Sequence, residues 1–141
     1  MKPLAYTLLA ATLTLFNGCA NQKPEQHEDQ EEHVASAVVQ LNNGNKWEAN
    51  IETTQGIETL KQMVEVELAM SAPESITLKS KMLEEFTNIL NRCTMKGEAH
   101  EQLHNYLLPL KADIEGLSEP ATEAELTKIK NYLNTYYQFF I

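Results

Sequence analysis

Four side chains that bind soft metals lie within twelve positions of the chain, in the run C-T-M-K-G-E-A-H-E-Q-L-H over residues 93–104. They are the thiol of Cys93, the thioether of Met95 and the imidazoles of His100 and His104. Thiolate, thioether and imidazole suit copper(I) or zinc, whereas magnesium and calcium prefer oxygen ligands. The spacing is that of neither a cupredoxin nor a zinc finger. The run therefore predicts an atypical soft-metal site, with copper first and zinc second.

Helical geometry would bring these donors together. His100 and His104 are four positions apart, so on a helix they share one face and can bind one ion. We predict that helix over Ala99–Leu117. A tight antiparallel turn before it places Cys93, at the end of the preceding helix, beside His100, with Met95 in the turn. The four donors are then expected to lie close together.

The same residues also fit a purely structural interpretation. Cys93 continues the apolar positions of the preceding helix, where a free cysteine acts as a small buried hydrophobe. His100 and His104 are then exposed polar residues near the start of a helix. The sequence leaves both interpretations open.

Catalysis is not expected. The sequence contains no nucleophile elbow, phosphate-binding loop or zincin motif. Cys93 and His100 could form a thiolate–imidazolium pair, but no third group that would orient the imidazole is evident. We therefore predict that the protein is not an enzyme.

From Thr54 onward, apolar residues recur at intervals of three and four, which predicts four amphipathic helices. Pro73 ends the first helix, Pro109 is expected to kink the third, and Thr122 with Glu125 forms a capping box that starts the fourth. Helices joined by short turns predict an all-α, up-down four-helix bundle. The apolar positions of the four helices are, in order, Ile57, Leu60, Val64 and Leu68; Leu78, Met82, Phe86, Ile89, Leu90 and Cys93; Leu103, Leu107, Leu110, Ile114 and Leu117; and Leu126, Ile129, Leu133, Tyr136 or Tyr137, and Phe140.

A short β-hairpin is predicted before the bundle. Val34–Ile51 contains two β-compatible runs around Asn43-Gly44, a dipeptide that favours tight hairpin turns. This turn puts Val38 and Trp47 on one face, which we expect to pack against the helices.

The N-terminus has the features of an export signal. Lys2 supplies a positive charge, and Leu4–Phe16 is an apolar run too short to span a membrane about 30 Å thick. Gly18 then precedes Cys19. This ending resembles the cleavage box of bacterial lipoproteins, which implies removal of residues 1–18 and acylation of Cys19, with palmitate among the acyl chains. An ordinary secretory signal followed by a chance cysteine is the alternative.

The same resemblance implies a location. Ala20, rather than an acidic residue, follows Cys19, which in Gram-negative lipoproteins implies the outer membrane, facing either the periplasm or the cell surface. Residues 19–33 have no aromatic or branched aliphatic side chain, so they predict a lipidated cysteine with a flexible acidic tether. Residues 34–141 then form the single folded domain.

The charge of the mature chain restricts its partners. The whole chain has 11 basic and 20 acidic residues, and removal of residues 1–18 removes one basic residue, Lys2, which leaves a formal charge of 10 − 20 = −10. Nucleic acid requires basic patches, so it is not an expected partner. Attachment to the membrane is expected through the lipid alone.

Two further resemblances concern the helical part. The run C-T-M-K-G-E-A-H-E-Q-L-H-N-Y-L-L-P-L, about an eighth of the chain, resembles one in small uncharacterised exported helical proteins of bacteria, which implies no particular activity. The overall plan also resembles four-helix b-type cytochromes, which bind haem between a methionine of the first helix and a histidine of the last. The predicted fourth helix, Thr122–Ile141, contains no histidine, so haem is not expected.

Two functions follow from the sequence. The first is an envelope-anchored helical lipoprotein that binds or buffers a soft metal. The alternative is a structural or protein-interaction module of the cell envelope, which docks a partner through a face of the bundle or through the aromatic tail, Tyr136–Ile141. An apolar tail either seals the end of a bundle or forms an exposed patch.

Overall fold

The computed structural model describes residues 38–70 and 77–141, all within one compact unit that spans residues 33–141. The predictions about the signal peptide, Cys19, the tether and Pro73 lie outside the described residues. The described part contains the helices α1 (Ile51–Ala69), α2 (Leu78–Arg92), α3 (Gly97–Glu115), α4 (Glu123–Leu133) and the single-turn α5 (Tyr136–Phe139). Its only β-pairings are isolated bridges, so the all-α class is confirmed for this part of the chain. None of these helices is both long and apolar enough to cross a membrane.

The four longer helices pack in a closed arrangement. Helix α1 contacts α2 and α4, and α3 contacts the same two helices. Gly56, early in α1, lies against Ile89, late in α2. Asp113, late in α3, pairs with Lys128 of α4. The apolar faces of these helices meet in one core.

Helical periodicity identified most of this core. All five predicted positions of the third helix are buried, as are Leu78, Met82, Phe86 and Ile89 of α2. The prediction for Leu90 was wrong, because its side chain is 43% exposed. One residue beyond Ile89, it is turned about 100° away from the buried face.

The fourth helix is shorter than predicted. Helix α4 begins after a complete capping box, in which Thr122 Oγ1 accepts from the amide of Glu125 and the Glu125 carboxylate accepts from the amide of Thr122. It ends at Leu133 instead of continuing to Ile141. The backbone tightens there, because the Thr135 amide donates to the Tyr132 carbonyl, three residues back.

The C-terminal residues seal the bundle and pair with the segment before α1. Tyr136 and Phe140 are fully buried, whereas Tyr137 and Ile141 are exposed. The Trp47 amide donates to the Phe139 carbonyl oxygen at 2.8 Å, and the Ile141 amide donates to the Trp47 carbonyl oxygen at 2.9 Å. The tail is thus part of the domain's packing.

The predicted turn before the bundle is present. Asn43 and Gly44 both have positive φ, 51° and 87°, as a type I′ turn requires. Trp47 is buried in the core, as predicted, but Val38 is 76% exposed, so the prediction that both pack against the rest of the domain was wrong for Val38. The hairpin begins outside the described residues and as a whole stays a prediction.

Candidate metal centre

The loop between α2 and α3 carries the candidate site. Cys93 follows the last residue of α2, and its extended backbone (φ −65°, ψ 124°) turns the chain out of the helix. Gly97 opens α3 with a φ of 59°, a left-handed conformation that glycine adopts without strain. This reversal brings the start of α3, with His100 and His104, back beside the end of α2.

Cys93 and His100 are in contact. The Cys93 Sγ lies 3.6 Å from His100 Nδ1, and both side chains are half-buried. The rings of His100 and His104 lie 4.4 Å apart at their centroids, tilted by 55°, and His104 is exposed. The structure therefore brings together three of the four donors that the sequence singled out.

The sulfur–nitrogen separation suits two ligands of one ion. With Zn–S of about 2.3 Å and Zn–N of about 2.0–2.1 Å, a thiolate and an imidazole on a tetrahedral ion lie about 3.6 Å apart. In residues 38–70 and 77–141, however, no group of three or more His, Cys, Asp or Glu side chains is placed to hold a metal. Two donors are in contact, and a third lies beside the second of them.

Met95 occupies the intervening loop but has other neighbours. Its side chain is half-buried against the hydrophobic core. It also lines a surface cleft with Lys46, Trp47 and Ala99, and neither Cys93 nor a histidine lines that cleft. That the Met95 thioether binds a metal stays a prediction.

A cluster of aromatic side chains, which includes Tyr136, lies at the same end of the domain as Cys93. The Tyr136 ring stacks on Phe140 with centroids 5.0 Å apart and meets the edge of Tyr106 at 5.5 Å. Burial raises the pKa of Tyr136 to about 12, and Cys93 is close enough to act in the same direction. The Tyr136 hydroxyl lies 3.1 Å from Thr54 Oγ1. The predicted gathering of aromatic residues at this end of the bundle is present.

The sequence analysis missed Asn50, the residue before α1. Its side-chain Nδ2 donates to the Arg92 carbonyl oxygen at 3.2 Å, and its Oδ1 accepts from the Thr94 amide at 3.3 Å. These are the residues on either side of Cys93. Asparagine before a helix is an ordinary capping signal, so the sequence offers no sign of a contact 42 to 44 residues away.

The chain matches no protein-family model, and it has no match among curated proteins or among solved structures. A half-buried thiol in contact with one imidazole, which lies beside a second, can bind a soft cation or form a thiol–imidazole hydrogen bond. Phosphate-binding or nucleophile-activating motifs are not among its residues.

Proposed function

We propose that this chain is an envelope lipoprotein, anchored in the outer membrane through Cys19 and facing the periplasm or the cell surface, whose helical domain binds or buffers a soft transition metal. Copper(I) is the first choice and zinc the second. The observation that carries the proposal is the 3.6 Å separation between Cys93 Sγ and His100 Nδ1. The adjacent His104 supports it by offering a further donor.

The number of donors favours copper(I). Structural zinc sites have four protein ligands, whereas copper(I) is stable with two or three soft ligands. Cys93 and His100 supply two donors in contact, and His104 or Met95 can supply a third. Cys93 is half-buried against the hydrophobic core, which limits the access of water to the thiol and also favours copper(I).

We infer an up-down-up-down four-helix bundle preceded by a short β-hairpin. The antiparallel contacts between α1 and α2 and between α3 and α4 support this topology. The domain acts as a binding protein rather than an enzyme, and haem is not part of it.

The rival function is a structural or protein-interaction module without metal. Exposed Tyr137 and Ile141, at 43% and 71%, favour a contact surface near the C-terminus. Tyr136 and Phe140 are fully buried, which counts against docking through the whole aromatic tail. This makes metal binding the better-supported function.

Copper(I) titration of the full chain tests the proposal. Under reducing conditions, in competition with a chromogenic copper(I) chelator, we expect one copper(I) per chain that depends on Cys93. Cys93→Ser and His100→Ala should each weaken binding strongly, because an ion with few ligands cannot easily replace a lost donor. His104→Ala should weaken it less, and Met95→Leu least.

Matched controls separate the site from general effects. Met70→Leu replaces a half-exposed methionine at the opposite end of α1 and should titrate as wild type. Residual uptake by the Cys93→Ser chain measures any contribution of Cys19. If Cys93→Ser and His100→Ala both titrate like wild type, the run is only a helical hairpin and the metal proposal fails.

The anchor has its own test. Labelled palmitate should enter the wild-type chain in cells and be absent from Cys19→Ala, and detergent should be needed to extract the wild type. Equal labelling of the two chains would exclude acylation at Cys19. Release of a wild-type chain trimmed near Cys19 would instead indicate ordinary secretion.

A further inference from the structure

Asn50 uses all of its hydrogen-bonding capacity. A side-chain amide has two N–H donors and an oxygen with two lone pairs. Nδ2 donates to Glu52 Oε2 at 2.8 Å and to the Arg92 carbonyl oxygen at 3.2 Å. Oδ1 accepts from Thr53 Oγ1 at 2.8 Å and from the Thr94 amide at 3.3 Å. Because all four bonds are made, only one orientation of the Asn50 side-chain amide satisfies them.

This use differs from ordinary helix capping. An asparagine at the N-cap usually accepts from an amide in the first turn of its own helix. Asn50 occupies the N-cap of α1 but makes no such side-chain bond. Its oxygen instead accepts from Thr94, in the loop after α2. The side chain thus connects the start of α1 to the loop that carries Cys93.

The two long-range bonds bracket the thiol. The Arg92 carbonyl oxygen, directly before Cys93, accepts from Asn50 Nδ2. The Thr94 amide, directly after Cys93, donates to Asn50 Oδ1. Both peptide groups that flank Cys93 are therefore held against α1. The backbone at Cys93 fixes its Cβ and so limits Sγ to a few staggered positions, and the separation of Sγ from His100 Nδ1 therefore depends on this connection.

We propose that Asn50 is a positioning residue of the metal site, which holds the backbone on both sides of Cys93 so that Sγ faces His100. The inference rests on the proposed function, since the thiol–imidazole pair is the metal-binding pair. Thr53 contributes to this positioning. Its hydroxyl is fully buried and donates to Asn50 Oδ1, which helps to fix the orientation of the Asn50 amide. Outer residues that orient metal ligands typically change affinity by about 10- to 100-fold when they are removed.

Two variants of the full chain test the role of Asn50, with one matched control. Asn50→Ala removes both bonds to the Cys93 loop, and Thr53→Val removes only the hydroxyl that orients the amide. Asn88→Ala is the control, because among the residues that the structure describes its side chain hydrogen-bonds only to Glu85, within α2. Copper(I) affinity should fall about 10- to 100-fold in Asn50→Ala, fall less in Thr53→Val, and stay at the wild-type value in Asn88→Ala.

A metal-free measurement distinguishes positioning from stability. The ring nitrogen resonances of His100 in an imidazole NMR spectrum report its contact with Cys93 Sγ. In Asn50→Ala these resonances should shift toward the chemical shifts seen in the Cys93→Ser variant. In Thr53→Val they should shift in the same direction by a smaller amount. A residue that only stabilises the fold would lower Tm without moving these resonances. If Asn50→Ala does not fold, the copper(I) affinity and the His100 resonances of Thr53→Val test the positioning role instead.

The outcomes separate the two proposals. If wild type binds no more copper(I) than Cys93→Ser, the proposed function fails, and the His100 resonances still test Asn50. If wild type binds copper(I), but both variants keep wild-type affinity and wild-type His100 resonances, the positioning role is wrong and the metal site stands.

Discussion

The hydroxyls of Tyr106 and Tyr132 each donate a hydrogen bond to the other residue's backbone carbonyl oxygen, at 3.1 and 2.8 Å. The two rings stack with centroids 4.9 Å apart. This reciprocal pair joins the middle of α3 to the end of α4. The Tyr106 hydroxyl also lies 3.4 Å from the Leu133 carbonyl oxygen, and the Tyr132 carbonyl oxygen accepts in addition from the amide and the hydroxyl of Thr135.

Tyr106→Phe should lower the free energy of unfolding by about 0.5–1.5 kcal/mol, because it removes the hydrogen bonds of the Tyr106 hydroxyl to carbonyl oxygens at the end of α4. The change is measured from urea unfolding curves with an unchanged m value. Tyr137→Phe, at a side chain that is 43% exposed, is the control and should cost less. Equal costs at the two positions would contradict a special role for the pair.

Gly56→Ala should destabilise the domain although alanine is the better helix former. A Cβ at this position would lie 2.3 Å from Ile89 Cγ1. Overpacking typically costs about 1–3 kcal/mol, which outweighs the roughly 1 kcal/mol gained in helix propensity. Thermal unfolding measures the change, with Gln55→Ala, at the exposed neighbouring position, as the control.

A double variant checks the cause of that effect. In an Ile89→Ala background the clashing atoms are absent, so Gly56→Ala should cost less there than in wild type. The same cost in both backgrounds would mean that the contact with Ile89 is not the reason for glycine.

Leu107→Asp should lower stability by about 3 kcal/mol or more, or prevent folding, because it buries an unpaired charge. Leu107 is 2% exposed, whereas Leu108, the next residue of α3, is 44% exposed. Leu108→Asp should therefore cost less than about 1 kcal/mol. Circular dichroism melts of the two variants make the comparison, and similar losses would contradict the helical phase of α3.

Acid stability should depend on Glu125. Hydrogen bonds from the Ser118 side chain, then from the Thr122 backbone and side chain, lower the pKa of its carboxyl group to about 2 from an ordinary 4.5. A lowered folded-state pKa means that this contribution is present above pH 4.5 and is lost as the pH falls toward 2. Urea midpoints between pH 5 and pH 2.5 should fall less steeply in Glu125→Gln.

A second variant isolates the leading cause of that shift. Ser118→Ala removes a 2.6 Å bond from the Ser118 hydroxyl to Glu125 Oε2, and it should reduce the same slope in part. If Glu125→Gln keeps the full wild-type slope, other carboxyl groups govern the acid transition.

The sequence by itself determined the local features. The interval of three and four between apolar residues identified the helices and the buried face of α3, and the Thr122–Glu125 spacing identified the capping box. It also anticipated the contact of Cys93 with His100, because both residues flank one short turn between consecutive helices. Each of these features depends on residues close together in the chain, so spacing alone encodes it.

Only the tertiary structure decided where α4 ends, which partner Trp47 has and what holds the Cys93 loop. Helix α4 ends where the Tyr106 hydroxyl, from another helix, meets its last carbonyl groups. Trp47 pairs with Phe139 and Ile141, more than ninety residues away. The local sequence predicts that Asn50 caps α1, yet its side chain hydrogen-bonds to the backbone of Arg92 and Thr94. Such hydrogen bonds join groups that are distant in sequence, and no local pattern specifies their partners.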